Sequence, residues 1–168
     1  MNRWLRLLKH RWLDEGDARR ALGDTALEQL TTRVAAGERR HSGEIRVCVE
    51  AGLPLSYLWR GASARERALA MFGKLRVWDT ESNNGVLVYL LLAERRIEIV
   101  ADRGLSRHVD AAEWHAITTG MSRAFGQGRF EDGLNAAIDE VTLLLEQHFP
   151  LAAGEMNPNE LPDAPALR

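Results

Sequence analysis

The sequence has little of several features that would assign a protein to a class. It contains one cysteine, Cys48, which excludes an intrachain disulfide, and no Cys/His spacing suggests zinc. Its formal net charge of −2 gives no general reason to expect a nucleic-acid partner. No apolar run approaches the ~20 residues of a membrane-spanning helix. Basic residues interrupt the N-terminal apolar stretch, unlike in a signal peptide. We therefore expect a cytoplasmic protein.

The composition is ordinary for one globular domain. The chain has 168 residues, of which 45% are hydrophobic and 27% charged, so it can bury a real core. We expect residues 1–23 to form an amphipathic helix and a linker, and residues 24–150 to form the domain. Residues 151–168 contain three prolines and little periodicity, which predicts a mobile tail.

The stretch from Trp78 to Gly104 organises the domain. The apolar run Gly85–Leu92 is typical of a strand buried on both faces, and residues 96–101 are typical of a second strand after a short turn. The two strands predict an antiparallel hairpin. Such a hairpin brings residues 79–84, before its first strand, beside residues 102–104, after its second.

An earlier strand adds to this arrangement. Residues 44–50 alternate in polarity, so Ile45, Val47 and Val49 are expected on a single well-buried face. A helix that begins after Ser63, with Glu66 completing its capping box, leads to the hairpin. Similar pairs, Thr25 with Glu28 and Asp110 with Glu113, predict the starts of two further helices. A strand, a crossover helix and a second strand predict a parallel pair. Residues 41–44 then join the same end of the sheet.

We call residues 41–44, 79–84 and 102–104 the polar edge, and two kinds of site are predicted there. Asp79, Asn83, Asn84 and Asp102 supply the oxygen ligands that Ca²⁺ prefers. The alternative is that Asn and Asp only shape the turns. A phosphatase would use Asp79 or Asp102 as nucleophile or metal ligand and Arg103 to bind phosphate. The alternative is that Arg103 forms a structural ion pair, and no phosphatase signature is present.

Other candidates are weaker. Residues 3–13 predict a short helix with an apolar stripe that includes Trp4, Leu8 and Trp12 among basic residues. Such a stripe could contact the surface of the inner membrane or a partner protein. The alternative is that it packs on the domain itself. Cys48 lies within a strand and is interpreted as a packing residue. His41 lies in a charged turn and is expected to be exposed.

The order of these segments resembles the TPM domain, a family of thylakoid-lumen, photosystem-II-repair and receptor-modulating proteins. The resemblance covers residues 24–148, and its most specific parts are Asn84-Gly85 and the Phe130-x-x-Gly133-Leu134 motif. It implies a three-layer α/β/α domain. It also implies a calcium-binding or weak acid-phosphatase site, both proposed for plant relatives, or a non-enzymatic role at membrane complexes. Many relatives have a glycine-rich turn where this chain has residues 101–104, and many have an export signal or membrane helices.

These observations predict an α/β fold, a three-layer α/β/α sandwich with a small mixed sheet formed by a parallel first pair and an antiparallel hairpin. The predicted function is a non-catalytic binding or assembly module that binds a divalent cation such as Ca²⁺ and an unidentified protein partner, with peripheral membrane contact. The alternative is a weak metal-dependent acid phosphatase.

Overall fold

The computed structural model describes residues 6, 7, 10 and 13–168, and this part of the chain contains seven α-helices and four strands. The helices are α1 (Glu15–Leu22), α2 (Asp24–Glu38), α3 (Leu55–Trp59), α4 (Ala64–Lys74), α5 (Arg103–Ser106), α6 (Ala111–Gly126) and α7 (Phe130–His148). The strands are β1 (Ile45–Glu50), β2 (Val86–Leu91), β3 (Arg96–Ala101) and β4 (Ala166–Leu167). A 3₁₀ turn at Leu92–Glu94 joins β2 to β3.

The sheet is mixed, as predicted. Its order is β3-β2-β1-β4, with β1 parallel to both β2 and β4, and with β2 antiparallel to β3. One core lies between the sheet and helices α1, α2, α6 and α7. A second core lies on the opposite face, under α3 and α4. This arrangement confirms the expected three-layer α/β/α sandwich.

Strand β1 differs from the prediction, because both of its faces are buried. Arg46, Cys48 and Glu50 point away from the face that carries the alternating Ile and Val, yet Cys48 is completely buried and Glu50 is 2% exposed. The expectation of a single buried face was wrong. The second face is covered by α4 and by residues 161–166, which approach from distant parts of the sequence.

The predicted helix starts were mostly correct. Capping boxes begin α4 at Ser63 and Glu66, and α6 at Asp110 and Glu113. In contrast, a predicted box of Thr25 with Glu28 at the start of α2 was wrong. The N-cap of α2 is Gly23, whose φ of 82° separates α2 from the unpredicted helix α1, and Thr25 therefore lies inside the first turn.

The described part of the N-terminal segment packs on the domain. The guanidinium of Arg6 donates to the Glu94 carboxylate at 2.6 Å and to the Ala62 carbonyl at 2.7 Å. The Nδ1 atom of His10 accepts a hydrogen bond from the Leu53 amide at 2.9 Å. Trp4, Leu8 and Trp12 lie outside the described residues. Among the described helices, none is long and apolar enough to cross a membrane.

Residues 157–168 follow β1 along its outer edge. Ala166 and Leu167 pair with Cys48 and Val49 to form β4. The Arg46 guanidinium donates to the carbonyls of Pro162 and Ala164. These contacts place the segment on the sheet, while its mobility and the domain bounds at residues 24–150 stay predictions.

Candidate functional site

The backbone of the polar edge has the predicted arrangement. The amide of Asp102 donates to the Gly85 carbonyl at 2.9 Å, and the amide of Gly104 donates to the Asn83 carbonyl at 2.8 Å. The amide of Val86 donates to the Glu44 carbonyl at 2.8 Å, which joins β2 to the start of β1. Three loops that are far apart in sequence therefore meet at one end of the sheet.

Two glycines allow this close approach. A Cβ atom on Gly85 would lie 2.0 Å from the Val77 carbonyl oxygen. A Cβ atom on Gly104 would lie 2.5 Å from the Asn83 carbonyl oxygen. Because both obstacles are backbone atoms, neither can move away cheaply. The Asn84-Gly85 pair that the sequence analysis singled out thus has a steric reason for its glycine.

The predicted ligand side chains have different neighbours. Asp79 is 47% exposed at its side chain and forms an ion pair with Arg76 at 2.7 Å. Asn83 has a left-handed φ of 52°, and its Oδ1 accepts a hydrogen bond from Arg103 at 3.2 Å. Both side chains lie at the outer, solvent-facing part of the polar edge.

Asn84 and Asp102 are buried instead, at 0% and 7% exposure. The side-chain Nδ2 of Asn84 donates to the Ser42 hydroxyl at 3.4 Å, and Asp102 Oδ1 accepts from the Arg103 backbone amide at 2.7 Å as the N-cap of α5. Asn84 Oδ1 and Asp102 Oδ2 receive no hydrogen bond from any described residue. Among the described residues of the polar edge, His41 Nε2 and Glu44 Oε1 are also buried without a hydrogen-bond partner, but only Asn84 and Asp102 belong to the predicted ligand set.

Arg103 lies beside these groups but is largely exposed. Its side chain is 77% exposed, and its Nε is 3.9 Å from Asp102 Oδ1. This contact is a long ion pair, and it agrees with the alternative that Arg103 has a structural role. Within residues 6, 7, 10 and 13–168, no group of three or more His, Cys, Asp or Glu side chains is placed to hold a metal ion.

This fold and these motifs agree with the comparisons with known proteins. The TPM domain matches residues 17–143, about three quarters of the chain. The chain belongs to the TPM domain family. No curated protein sequence matches it.

Two solved structures resemble this TPM domain. The BA42 protein of the psychrophilic bacterium Bizionia argentinensis, solved by NMR, is 26% identical, with a TM-score of 0.74 over 86% of this chain and 94% of that one. The N-terminal domain of a P. gingivalis protein, also solved by NMR, is 21% identical, with a TM-score of 0.62 over 81% of this chain and 90% of that one. The second likeness concerns the fold alone.

His41, at the start of the TPM domain's polar edge, is not exposed as expected. It is 0% exposed, because the chain after α7 crosses it and the Ser42 amide donates to the Phe149 carbonyl. Its Nδ1 atom is 3.0 Å from the Gly43 carbonyl oxygen, so the neutral ring donates there. Burial lowers the pKa of His41 to about 4. His41 is therefore a neutral structural residue near pH 7.

A cluster of carboxyl groups beside the polar edge was missed by the sequence analysis. We call it the carboxyl cluster, and its members are Glu38, Glu44, Glu160 and Asp163. Glu38 accepts from the Ile45 amide at 2.8 Å and Glu44 from the Leu161 amide at 3.1 Å. Burial, and to a smaller extent the neighbouring carboxylates of Glu44 and Asp163, raise the pKa of Glu38 to about 8. Burial also raises the pKa of Glu44.

A second buried polar group lies on the opposite half of β1. Glu50 binds the Arg67 guanidinium, with its closest contact at 2.6 Å, and also accepts from the Tyr89 hydroxyl at 2.6 Å. Cys48 lies on the same face of β1, where burial raises its pKa to about 12, the opposite of an activated thiol. The polar positions Glu44 and Glu50 of the alternating strand could have indicated the carboxyl cluster and the Glu50 group. The sequence did not show which distant segments cover these positions.

Proposed function

We propose that this TPM domain is a non-catalytic binding or assembly module whose polar edge contacts its ligand. The observation that supports this proposal is the pair of buried, unpartnered oxygens, Asn84 Oδ1 and Asp102 Oδ2. Most buried polar atoms in native proteins have a hydrogen-bond partner. Acceptors without a partner at the ends of neighbouring strands favour a ligand that supplies positive charge or hydrogen-bond donors.

A divalent cation is the ligand that fits this chemistry. Asp79, Asn83, Asn84 and Asp102 offer the hard oxygen atoms that Ca²⁺ binds, and backbone carbonyls and water would complete the 6–8 ligands it takes. Asp79 would have to leave its ion pair with Arg76 to take part. Few carboxylates therefore contribute, and we expect weak binding, with a dissociation constant on the order of 10⁻⁴ to 10⁻³ M.

The phosphatase alternative ranks second because its candidate residues already have structural contacts. Asp102 caps α5 through Oδ1, and Arg103 contacts Asn83. Asp79 forms an exposed ion pair. A phosphoryl-transfer site needs a nucleophile aligned with groups that stabilise the developing charge. None of these three residues makes a contact that aligns it for this chemistry.

The N-terminal helix provides the proposed contact with a membrane or a partner protein in the cytoplasm. Arg6, Leu7 and His10 face the domain. The sequence predicts that Trp4, Leu8 and Trp12 form an apolar stripe in this segment. Tryptophan and basic residues both favour the headgroup region of a membrane, which suits peripheral contact with the inner membrane.

Thermal unfolding with chelator, with Ca²⁺ and with Mg²⁺ tests the cation proposal. The variant Asp79→Asn/Asp102→Asn keeps side-chain shape and the capping oxygen, and Asp139→Asn, at an exposed position of α7, is a matched control. We expect Ca²⁺ to raise the melting temperature of wild type and of the control but not of the double variant, since a ligand that binds only the folded state stabilises it. An unchanged wild-type melting temperature in millimolar Ca²⁺ contradicts the proposal. Aryl phosphate hydrolysis that disappears in the double variant would put the phosphatase first.

Flotation with vesicles of phosphatidylethanolamine and phosphatidylglycerol tests the membrane contact. Trp4→Ser/Leu8→Ser/Trp12→Ser leaves the docked residues intact, and Leu69→Ser/Leu143→Ser removes two exposed apolar side chains elsewhere. We expect flotation of wild type and of the control, and its loss in the triple variant. Equal flotation of all three proteins contradicts the membrane role.

A further inference from the structure

Strand β3 is an open edge of the sheet. Its only strand neighbour among the described residues is β2. Gly85 lies opposite Asp102, and the Asp102 amide donates to the Gly85 carbonyl. Because backbone groups alternate in direction along a strand, the even-numbered residues of β3 bond to β2. Ile97, Ile99 and Ala101 therefore direct their amides and carbonyls away from the sheet.

Only some of these outward-facing backbone groups have a hydrogen-bond partner. The Ile99 carbonyl accepts from the Arg65 guanidinium, and the Ala101 carbonyl accepts from the Ser106 hydroxyl at 3.0 Å. Within the described part of the chain, the amides of Ile97, Ile99 and Ala101 form no hydrogen bond. These three donors repeat every second residue, about 6.6–6.8 Å apart, which is the spacing of carbonyls along one side of an extended chain.

A groove runs along this edge. Helices α4 and α6 both pack against β3 and form its walls. The groove encloses about 470 Å³, and its lining includes Arg65, Ile99, Ala101, Trp114, His115 and Thr118. We call it the β3 groove. Ile99 and Ala101, two of the three residues with outward amides, line it.

The charges around the β3 groove favour an acidic occupant. Arg65 lines the groove, and Arg95, Arg96 and Arg107 are exposed near the two ends of β3. The carboxylate of Glu98 also lines the groove, where Arg65 lies 3.9 Å away and partly offsets its charge.

We infer that the β3 groove binds an extended, acidic peptide segment of a partner protein, which adds to β3 as a further strand. Main-chain hydrogen bonds to the three free amides would hold the peptide, and alternate side chains would contact Trp114 and Thr118 on α6. A free peptide suits the groove better than a second copy of this chain. The β3 strand of a second copy would arrive flanked by its own α4 and α6, which would meet the first copy's helices.

Fluorescence anisotropy with a labelled synthetic peptide tests this inference. The probe alternates valine and glutamate over about seven residues, near the usual length of a strand. One control peptide replaces glutamate with lysine, and another methylates the backbone nitrogens of the acidic peptide. We expect saturable binding of the acidic peptide alone, since strand addition needs backbone pairing.

Two variants locate the binding. Thr118→Arg fills the groove from α6, whereas Thr119→Arg adds the same charge and bulk at the next, exposed position outside the groove. We expect Thr118→Arg to weaken binding by about tenfold or more and Thr119→Arg to leave it unchanged. Equal binding by both variants overturns the inference. Comparable binding of the methylated peptide overturns it as well.

Hydrogen exchange of the Ile97, Ile99 and Ala101 amides gives an independent readout. Saturating acidic peptide should slow exchange of these three amides by about tenfold or more. Unchanged exchange in saturating peptide overturns the inference. Protection that grows with protein concentration without peptide also overturns it, in favour of a second copy. The β3 groove is separate from the unpartnered oxygens of the polar edge, so failure here leaves the Ca²⁺ melting experiment unaffected.

Discussion

The carboxylate of Glu50 on β1 receives three hydrogen bonds from the Arg67 guanidinium on α4, the shortest at 2.6 Å from Nη2 and 2.9 Å from Nε. The side chains are only 3% and 10% exposed. The Tyr89 hydroxyl donates to the same carboxylate, so every Glu50 oxygen has a partner. This group fastens α4 to the centre of the sheet.

Removing one partner of this pair should destabilise the domain strongly. Arg67→Met keeps much of the side-chain volume but leaves the Glu50 carboxylate buried without its cation. We expect the free energy of unfolding to fall by about 3–5 kcal/mol, the usual loss when one partner of a buried ion pair is removed. Chemical denaturation measures the change.

The exposed pair of Arg33 and Asp139, 2.7 Å apart, offers a matched control for Arg67→Met. Arg33→Met should lower the free energy of unfolding by about 0–1 kcal/mol, because water screens a surface pair. Similar losses in the two variants would show that the Glu50–Arg67 pair is no more important than a surface pair.

Glu38 should make the domain less stable as pH rises. Its pKa is about 8 in the folded state against an ordinary value of 4.5, so the folded state holds an extra proton between these pH values. The stabilisation is fully present below about pH 4.5 and is lost by pH 8, at up to ~1.4 kcal/mol per pH unit. Glu38→Gln cannot titrate, and its amide can still accept from Ile45. We therefore expect the melting temperature of Glu38→Gln to fall less steeply than that of wild type between pH 6.5 and 8.5.

Glu28→Gln controls for the Glu38 substitution, since Glu28 is an exposed residue of the same helix, α2. Its melting temperature should follow the wild-type pH dependence. A wild-type slope in Glu38→Gln would contradict the prediction.

His41 should act in the opposite direction. Its folded-state pKa of about 4 lies below the ordinary 6.5, so the unfolded chain binds the extra proton between these values. The stabilisation from neutral His41 is present above pH 6.5 and is lost as pH falls towards 4. His41→Asn can still donate to Gly43 and does not titrate. We expect its unfolding free energy to fall less than that of wild type between pH 6.5 and 4.5, whereas exposed His115→Asn should resemble wild type.

The two glycines of the polar edge should resist substitution. Gly85→Ala and Gly104→Ala place a methyl group 2.0 and 2.5 Å from backbone oxygens, so each should cost about 1–3 kcal/mol or more of stability. Gly120 in α6 has open space around its missing Cβ. Gly120→Ala should instead stabilise the domain by about 0.5–1 kcal/mol. Denaturation midpoints that fall equally in all three variants would contradict the steric argument.

Much of the fold was predictable because the signals are local. The apolar run of β2 and the alternation of β1 identified two strands, and the pairs Ser63/Glu66 and Asp110/Glu113 marked helix starts. A crossover helix and a short hairpin then allow few topologies, so the three loops of the polar edge could be placed together. The TPM resemblance rested on these same local motifs.

The candidate site was less predictable, because each side chain's environment depends on distant contacts. Asp79 was placed with Asp102 by topology, but its exposed pairing with Arg76 depends on the local turn. His41 was expected in solvent, but the chain after α7 buries it. The carboxyl cluster joins Glu44 to Leu161, 117 residues away, through a segment without secondary-structure periodicity.

The sequence by itself determined where β1, β2 and β3 form, how they pair and where α4 begins, because local patterns and short connections set these features. Only the tertiary structure decided which charged groups are buried and what they contact. Glu50 and Glu38 are both carboxyl groups at polar positions, yet one is held by Arg67 and the other lies among carboxylates. The difference arises because a buried charge is stabilised or penalised by its three-dimensional neighbours, and elements distant in sequence supply them.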